Sequence, residues 1–417
     1  MWYNYYGDNM NIIDIIEKKR NSEVLNYDEL SFAFNGYLKG KIADYQMSSL
    51  LMTIMFNSLS DNEILDLTKI FIKSGKTVDF NKCGICVDKH STGGVGDKVT
   101  LIIGPILASA GLKFPKMSGR GLGYTGGTID KLESIPNIKL SLTKSEMINS
   151  IKNVGMFISS QSSDYVPMDK AIYALRSACG CVSSVSLIAV SIMSKKIAYG
   201  SKIIFIDIKC GSGALIKNKE EAKELSRVMK LIAKNYDVKI IIEISDMNTP
   251  LGSNIGNSLE VIEALDVLNG KTGPLTDLCK NISSEIIKTA KNISKKEAMN
   301  EVNELIKNKS ALNKFYEFVN AQGGKLAKMK ISRNIKTIYS NKKGVIKEIN
   351  ALEIAKLSFS LGAGRLEKND KIDYSVGVVL KCHIGDNISI NTPLMDIYYN
   401  KKYDIQDINT YFVIAGE

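Results

Sequence analysis

The sequence predicts an α/β protein built from a small all-helical domain, a large mixed α/β domain with a mostly parallel sheet, and a β-rich C-terminal subdomain of α+β character. Three patterns carry that expectation. Residues 10–76 space their apolar side chains at helical intervals. From residue 83 onward, short strand-like runs alternate with amphipathic helical runs. Residues 341–417 return to short alternating runs broken by turn residues. Alternation of strands with helices marks parallel strands joined by helical crossovers, because a tight turn cannot connect a parallel pair.

Ile12, Ile13, Ile15 and Ile16 open the helical domain, followed by Leu30, Phe34 and Tyr37 and by the periodic runs 47–59 and 64–72; its first part is 10–76. The α/β domain begins over 83–160, with strand-like runs at 85–87 and 113–117 on either side of the apolar helical run 101–110. Residues 168–200 are helical again and read as a return excursion that completes the helical domain. The α/β domain resumes over 201–335, with strand-like runs at 203–208 and 238–244, the second following the amphipathic run 220–236. The connections 76–82 and 153–169, the latter with Gly155 and Pro167, are the expected hinges. The C-terminal subdomain is 341–417, with a strand-like run at 376–380 and turns at Gly377 and Gly385-Asp386. The residues before Met10 lack a helical pattern and read as a tail.

A chain of 417 residues with 44% hydrophobic content can bury a sizeable core, so disorder is excluded. The longest apolar runs, 101–112 and 185–193, are too short and too interrupted to span a bilayer, and the N-terminus shows no signal-peptide pattern. A cytoplasmic protein with no membrane partner is expected. The net charge of +11 does not point to nucleic acid, because the lysines are interspersed with glutamates at helical spacing. It does favour the approach of small anions. The seven cysteines, odd in number and without a secretion signal, read as reduced thiols, and the single Cys83-x-x-Cys86 pair lacks the second pair that a zinc site would need.

Two glycine-rich segments carry the chemistry. The first, Lys89-His90-Ser91-Thr92-Gly93-Gly94-Val95-Gly96-Asp97, lies between a strand-like run and a helical run. Its glycines let main-chain N–H groups converge on an anion, Ser91 and Thr92 add neutral donors, and Lys89 adds charge. His90 is one of only two histidines. The second, Ser118-Gly119-Arg120-Gly121-Leu122-Gly123-Tyr124-Thr125-Gly126-Gly127-Thr128, follows one helix later, so both loops are placed at the ends of successive strands, where open α/β sheets bind ligands. In the excursion, Ser191 and Lys195 are four residues apart and share one helix face, with Arg176 upstream amid small and apolar residues.

The segments KHSTGGVGDK and SGRGLGYTGGTIDKLESIP resemble the two signature segments of the thymidine and pyrimidine-nucleoside phosphorylases, and the resemblance runs from about residue 10 to the C-terminus. It implies a nucleoside-salvage enzyme, a pentosyltransferase that cleaves a pyrimidine nucleoside with inorganic phosphate to give free base and (deoxy)ribose 1-phosphate. It also implies a homodimer and domain closure. Catalytic roles then fall to His90, Arg176 and Lys195, and base binding to His90, Arg176, Ser191 and Lys195. Phosphate binding falls to Lys89, Ser91, Thr100, Ser118 and Thr128. Lys196 reads as part of a solvated helix end. No cofactor is required by this chemistry. Some members hold a potassium ion near the phosphate loop, and the matching positions are Gly96, Leu251, Asn254 and Glu263. Here Lys98 stands in place of a usual threonine, so two outcomes are open: a potassium ion binds at these positions, or the Lys98 ammonium substitutes for it by pairing with Glu263.

Two further departures bear on activity. Tyr124 replaces a histidine, and residues 177–186 lack the acidic residue that commonly follows the arginine, which is expected to loosen the support of Arg176. An anthranilate-type phosphoribosyltransferase and a non-catalytic phosphate or nucleoside binder remain as alternative readings.

Overall fold

The computed structural model describes residues 10–416 apart from 122, 123, 125, 162, 163 and 366–369. The tail before Met10 and part of the second glycine-rich segment lie outside these residues.

In chain order, α1 (Ile12–Arg20), α2 (Tyr27–Leu38), α3 (Asp44–Asn57) and α4 (Asp61–Lys73) come first. Next are β1 (Val87–Ser91), α5 (Val99–Ser109), β2 (Phe114–Ser118), α6 (Thr128–Glu133), α7 (Lys144–Asn153) and β3 (Met156–Ser160). The excursion supplies α8 (Pro167–Ala178) and α9 (Val185–Ala198). The chain returns through β4 (Ile203–Cys210), α10 (Lys219–Asn235), β5 (Lys239–Asp246), β6 (Asn254–Ile255), α11 (Asn257–Leu268), α12 (Pro274–Lys291), α13 (Lys295–Lys307) and α14 (Ser310–Ala321). It finishes with β7 (Ile335–Tyr339), β8 (Gly344–Ile349), α15 (Ala351–Ser358), β9 (Gly377–Leu380), β10 (Asn387–Ile388), β11 (Pro393–Tyr398), α16 (Ile408–Tyr411) and β12 (Phe412–Ala415).

These elements form two compact units, one from 1–79, 161–202 and 223–240, the other from 80–160, 203–222 and 241–417. The segment 223–240, expected within the α/β domain, groups with the helical unit instead. Its amphipathic pattern reveals a buried face but not which core receives it.

In the helical unit, Asn26 with Glu29 and Ser60 with Glu63 form capping boxes that start α2 and α4. Glu63 also accepts from the Leu25 amide at 2.9 Å and from the buried Lys19 ammonium at 2.9 Å. One carboxylate therefore ties α1 and the connection before α2 to the start of α4. The Phe34 and Phe71 rings pack 5.8 Å apart in the core beside Leu30, Leu50, Ile54 and Leu67.

In the second unit, β1 runs parallel to β4, from Val87 opposite Ile203 to Ser91 opposite Asp207, and β2 runs parallel to β3. A parallel bridge from Cys86 to Lys113 joins the two pairs, giving the order β3-β2-β1-β4-β5. Helix α5 is buried from Val99 to Ala108, as its largely apolar sequence requires. Strand β3 corrects the expected hinge 153–169, because residues Met156, Phe157 and Ile158 are buried against β2 and cannot act as a free connector.

The C-terminal residues build antiparallel pairings β6-β9-β11-β7 and β10-β8-β12. Strand β7 begins at Ile335, before the expected boundary at 341, and β6 comes from the α/β part. Gly377, expected in a turn, lies in β9 with φ of +154°, where an added Cβ would strike the Ile255 carbonyl. No helix among the described residues is long and apolar enough to cross a membrane, and all seven cysteines are free thiols.

Candidate active site

Alternation along β1 puts Lys89 and Ser91 on one face and His90 on the other. Ser91 ends β1 and Ser118 ends the adjacent parallel β2, so both serines lie at the same end of the sheet. The Ser91 hydroxyl accepts from the Gly93 amide at 3.2 Å, which curls the loop over the strand end. Lys89 is fully buried, its ammonium 3.6 Å from Asp97 and 3.8 Å from Asp207, yet it makes no hydrogen bond among the described residues. An ammonium has three donors, so this group, although it shares its charge with two carboxylates, keeps hydrogen-bonding capacity for an anion.

The surrounding charges hold that group in place. Lys209 donates to Ser245 at 2.9 Å and pairs with Asp207 at 2.8 Å, while Ser245 donates to Asp207 at 2.6 Å. Burial pushes the Asp97 carboxyl up, but the Lys89 and Lys209 ammoniums and a hydrogen bond from Ser91 outweigh it and leave the group well below its ordinary value. Thr100 is in the first turn of α5 and nearly buried, and Thr128 starts α6. Asp130 accepts from the amides of Gly121 at 2.6 Å and Gly127 at 3.0 Å, closing the second loop onto α6. The structure thus puts Ser91 and Ser118 at adjoining strand ends, Lys89 two residues inside β1, and Thr100 and Thr128 in the first turns of the helices that follow. Asp207, Lys209 and Ser245 were missed because their roles arise from the pairing of distant strands; Asp97 lies in the first segment itself, but one of its ionic partners, Lys209, comes from β4.

The expected potassium positions take a different form. The Lys98 ammonium donates to the Leu251 carbonyl at 2.8 Å, the Asn254 carbonyl at 2.8 Å and Glu263 Oε2 at 2.6 Å, fully buried. Burial raises the Glu263 pKa, yet the adjacent ammonium, with amide donors from Ser253 and Asn254, brings it below the ordinary carboxylate value. Gly96 adopts φ of +74° with its Cβ position 2.6 Å from the Leu251 carbonyl, so only glycine fits. A metal ion does not fit among these groups, because the ammonium already takes two of the carbonyls and the carboxylate.

The helical unit holds the other constellation. Pro167 opens α8 and puts Asp169 in the first turn, from which its carboxylate accepts from Ser191 Oγ at 2.5 Å, Lys195 Nζ at 2.6 Å and Gln161 Nε2 at 2.8 Å. Lys195 also donates to Ser191 Oγ at 2.8 Å, as their spacing on α9 predicts. Burial pushes the Lys195 pKa down, with Asp169 opposing. Asp169 was not singled out from sequence, although it lies seven residues before Arg176 and hence on the same face of α8.

Arg176 is 2% exposed, and its guanidinium donates to the carbonyls of Cys181 at 3.3 Å, Leu187 at 3.1 Å and Val182 at 2.5 Å. The expected loosening from the lost acidic residue is therefore offset by backbone acceptors. Lys196, read as solvated, is 1% exposed. The exposed Tyr124 ring stands edge-on to Phe359 at 5.2 Å, so that replacement contributes to packing of the loop.

Comparison with known proteins gives the family of the chain. Residues 13–75 match the helical bundle domain of the glycosyl transferase family, residues 84–312 its a/b domain, and residues 345–412 the pyrimidine nucleoside phosphorylase C-terminal domain. The chain is 43% identical over 403 residues to the pyrimidine-nucleoside phosphorylase of Bacillus subtilis (strain 168), covering 94% of this chain and 93% of that one. It is 44% identical over 412 residues to the thymidine phosphorylase of Mycoplasmoides pirum, covering 95% and 98%. The crystal structure of anthranilate phosphoribosyltransferase from Thermus thermophilus superposes with a TM-score of 0.61 at 15% identity, over 74% of this chain and 99% of that one, which is a likeness of fold alone. With three domains matched in order and relatives alike along nearly the whole chain, the protein belongs to the pyrimidine-nucleoside and thymidine phosphorylase family of glycosyl transferases.

Proposed function

We propose that this enzyme cleaves pyrimidine nucleosides, thymidine, deoxyuridine and uridine among them, with inorganic phosphate, releasing free base and (2-deoxy)ribose 1-phosphate. The observation that carries the reading is the fully buried Lys89 ammonium in β1, with no hydrogen bond spent among the described residues, two residues before Ser91 ends the strand and the glycine-rich loop begins. Phosphate held by Lys89, Ser91, Thr100, Ser118 and Thr128 would be aligned to attack C1′, so much of the acceleration is positional. As the bond from C1′ to N1 breaks, its electron pair passes to the pyrimidine ring and its carbonyl oxygens. Arg176, Ser191 and Lys195 act as donors to that charge, each well-placed donor supplying roughly 3 kcal/mol. His90 shares or gives a proton to the leaving base.

Asp169 positions Ser191 and Lys195. The phosphoribosyltransferase alternative has only the low-identity fold likeness behind it, and the C-terminal match over 345–412 favours the phosphorylase. Incubation with thymidine, deoxyuridine and uridine should release free base only when phosphate is present; release driven instead by pyrophosphate with magnesium, or binding without turnover, would refute this assignment.

The base donors and the phosphate loop belong to different compact units, and domain closure is further proposed to accompany turnover. Solution scattering should record a smaller radius with both substrates bound, and an unchanged radius would argue against closure. The enzyme is further proposed to act as a cytoplasmic homodimer.

The Lys98 ammonium, already seated among the carbonyls and carboxylate of the potassium positions, supports turnover without a monovalent cation. Exchange of potassium for choline should leave the wild-type rate unchanged. Lys98→Met should lose about 3 kcal/mol of stability, because it leaves the Glu263 carboxylate buried without its cation. A wild-type rate that collapses in choline would contradict this assignment.

A further inference from the structure

Residues 177–186, which depart from the family pattern, contain the sequence Cys179-Gly180-Cys181. Gly180 adopts φ of +75°, which turns the chain back on itself after α8 and brings the Cys179 and Cys181 sulfurs to 3.1 Å. The Cys181 amide donates to the Arg176 carbonyl at 3.1 Å, closing the turn onto the helix end. Cys179 is partly exposed between exposed Ala178 and Gly180, whereas Cys181 is fully buried. Burial and the hydrogen bond with Cys179 push the Cys181 thiol up to about 12. Cys179 is thus the accessible nucleophile, and Cys181 the resolving thiol beside it.

The same turn holds the arginine. The Cys181 carbonyl accepts from Arg176 Nε and the Val182 carbonyl from its terminal nitrogen. Any reaction that draws Cys181 toward Cys179 moves both acceptors.

We propose that Cys179 and Cys181 form a thiol–disulfide modification site for small-molecule disulfides, and that closing the bridge displaces Arg176 and weakens nucleoside binding. The second clause rests on the base-binding role proposed for Arg176; the first does not. In the reaction the Cys179 thiolate attacks one sulfur of the small disulfide and expels the first thiolate. Cys181 then releases its proton and attacks the Cys179 sulfur of the mixed disulfide, expelling the second. Two protein thiols are oxidised to one disulfide while one small disulfide is reduced to two thiols. A ring closed across a single intervening residue is strained and hence readily reduced, which suits a reversible modification.

The experiment treats the reduced full-length enzyme with glutathione disulfide and follows the tryptic segment 177–195, whose only cysteines are Cys179 and Cys181. The segment should lose two hydrogens and regain them with dithiothreitol. In parallel, KM for the nucleoside should rise about tenfold, the scale of a misplaced charged hydrogen bond, while KM for phosphate stays constant. Cys179→Ser should keep the reduced activity and show neither response. Two thiols left free, or a reaction that stops at glutathione on Cys179, would overturn the modification site. A closed bridge with unchanged nucleoside KM would overturn its coupling to Arg176. Absence of phosphate-dependent base release in the reduced enzyme would instead refute the phosphorylase reading and leave the bridge result standing.

Discussion

Lys195→Met is expected to lower kcat/KM for the nucleoside by about 10³-fold, the loss of one preorganised donor from a site that excludes water. The side chain is 8% exposed and is held by Asp169 at 2.6 Å and Ser191 at 2.8 Å, so neither water nor a neighbour can replace it. The substitution also leaves the Asp169 carboxylate buried without its cation, which costs about 3 kcal/mol of stability. Combining it with Asp169→Asn removes the orphaned charge, so the double variant should regain stability while remaining inactive. That contrast separates catalysis from folding. If instead activity returns together with the melting temperature, Lys195 serves only the fold.

The pH dependence of the wild type follows from the same residue. Burial lowers the Lys195 pKa, and the proposed donor is its protonated form. As pH rises, the proton leaves earlier than from an exposed lysine, so the alkaline limb of kcat/KM should fall below the ordinary lysine range. In Lys195→Arg this limb should vanish, since a guanidinium keeps its charge throughout. An alkaline limb at the same pH in both proteins would assign it to another group.

Lys89→Met should raise KM for phosphate by about 100-fold, the effect of deleting a charge-assisted hydrogen bond, and leave KM for the nucleoside nearly constant. It should destabilise the fold as well, because Asp97 and Asp207 then lose the ammonium they share and are left with Lys209 alone of the two cations. The dependence on pH has a definite sign. Burial opposes the charged Asp97, but Lys89 and Lys209 depress its folded pKa below the unfolded value. That contribution to stability is present above the unfolded pKa and is lost as pH falls through the folded pKa. The gap in melting temperature between wild type and Lys89→Met should therefore be widest near neutrality and narrow on acidification. A gap that stays constant would mean that the carboxylate is not the partner that matters.

Much of this site was legible along the chain, since anion cradles are local devices. Lys89, Ser91 and the glycines around Gly96 need only their own loop, and Ser191 and Lys195 need only one helix face. Asp169 left a signal that went unread, its heptad spacing from Arg176. Asp207, Lys209 and Ser245 left none, because they reach the phosphate loop by strand pairing across more than a hundred residues. The hinge 153–169 was drawn too wide for the same reason, as the run at β3 is recognisable as a strand only once β2 lies beside it.

The sequence alone determined the fold class, the two glycine-rich turns and the residue types able to grip phosphate and a pyrimidine, because backbone conformation, helical periodicity and donor chemistry depend on near neighbours. Only the tertiary structure decided what those residues are held by. Lys98 could meet Glu263, and Arg176 could trade a missing carboxylate for the carbonyls of Cys181, Val182 and Leu187, only after the chain had buried them. Burial removes water as an alternative partner and thereby makes each such contact obligatory.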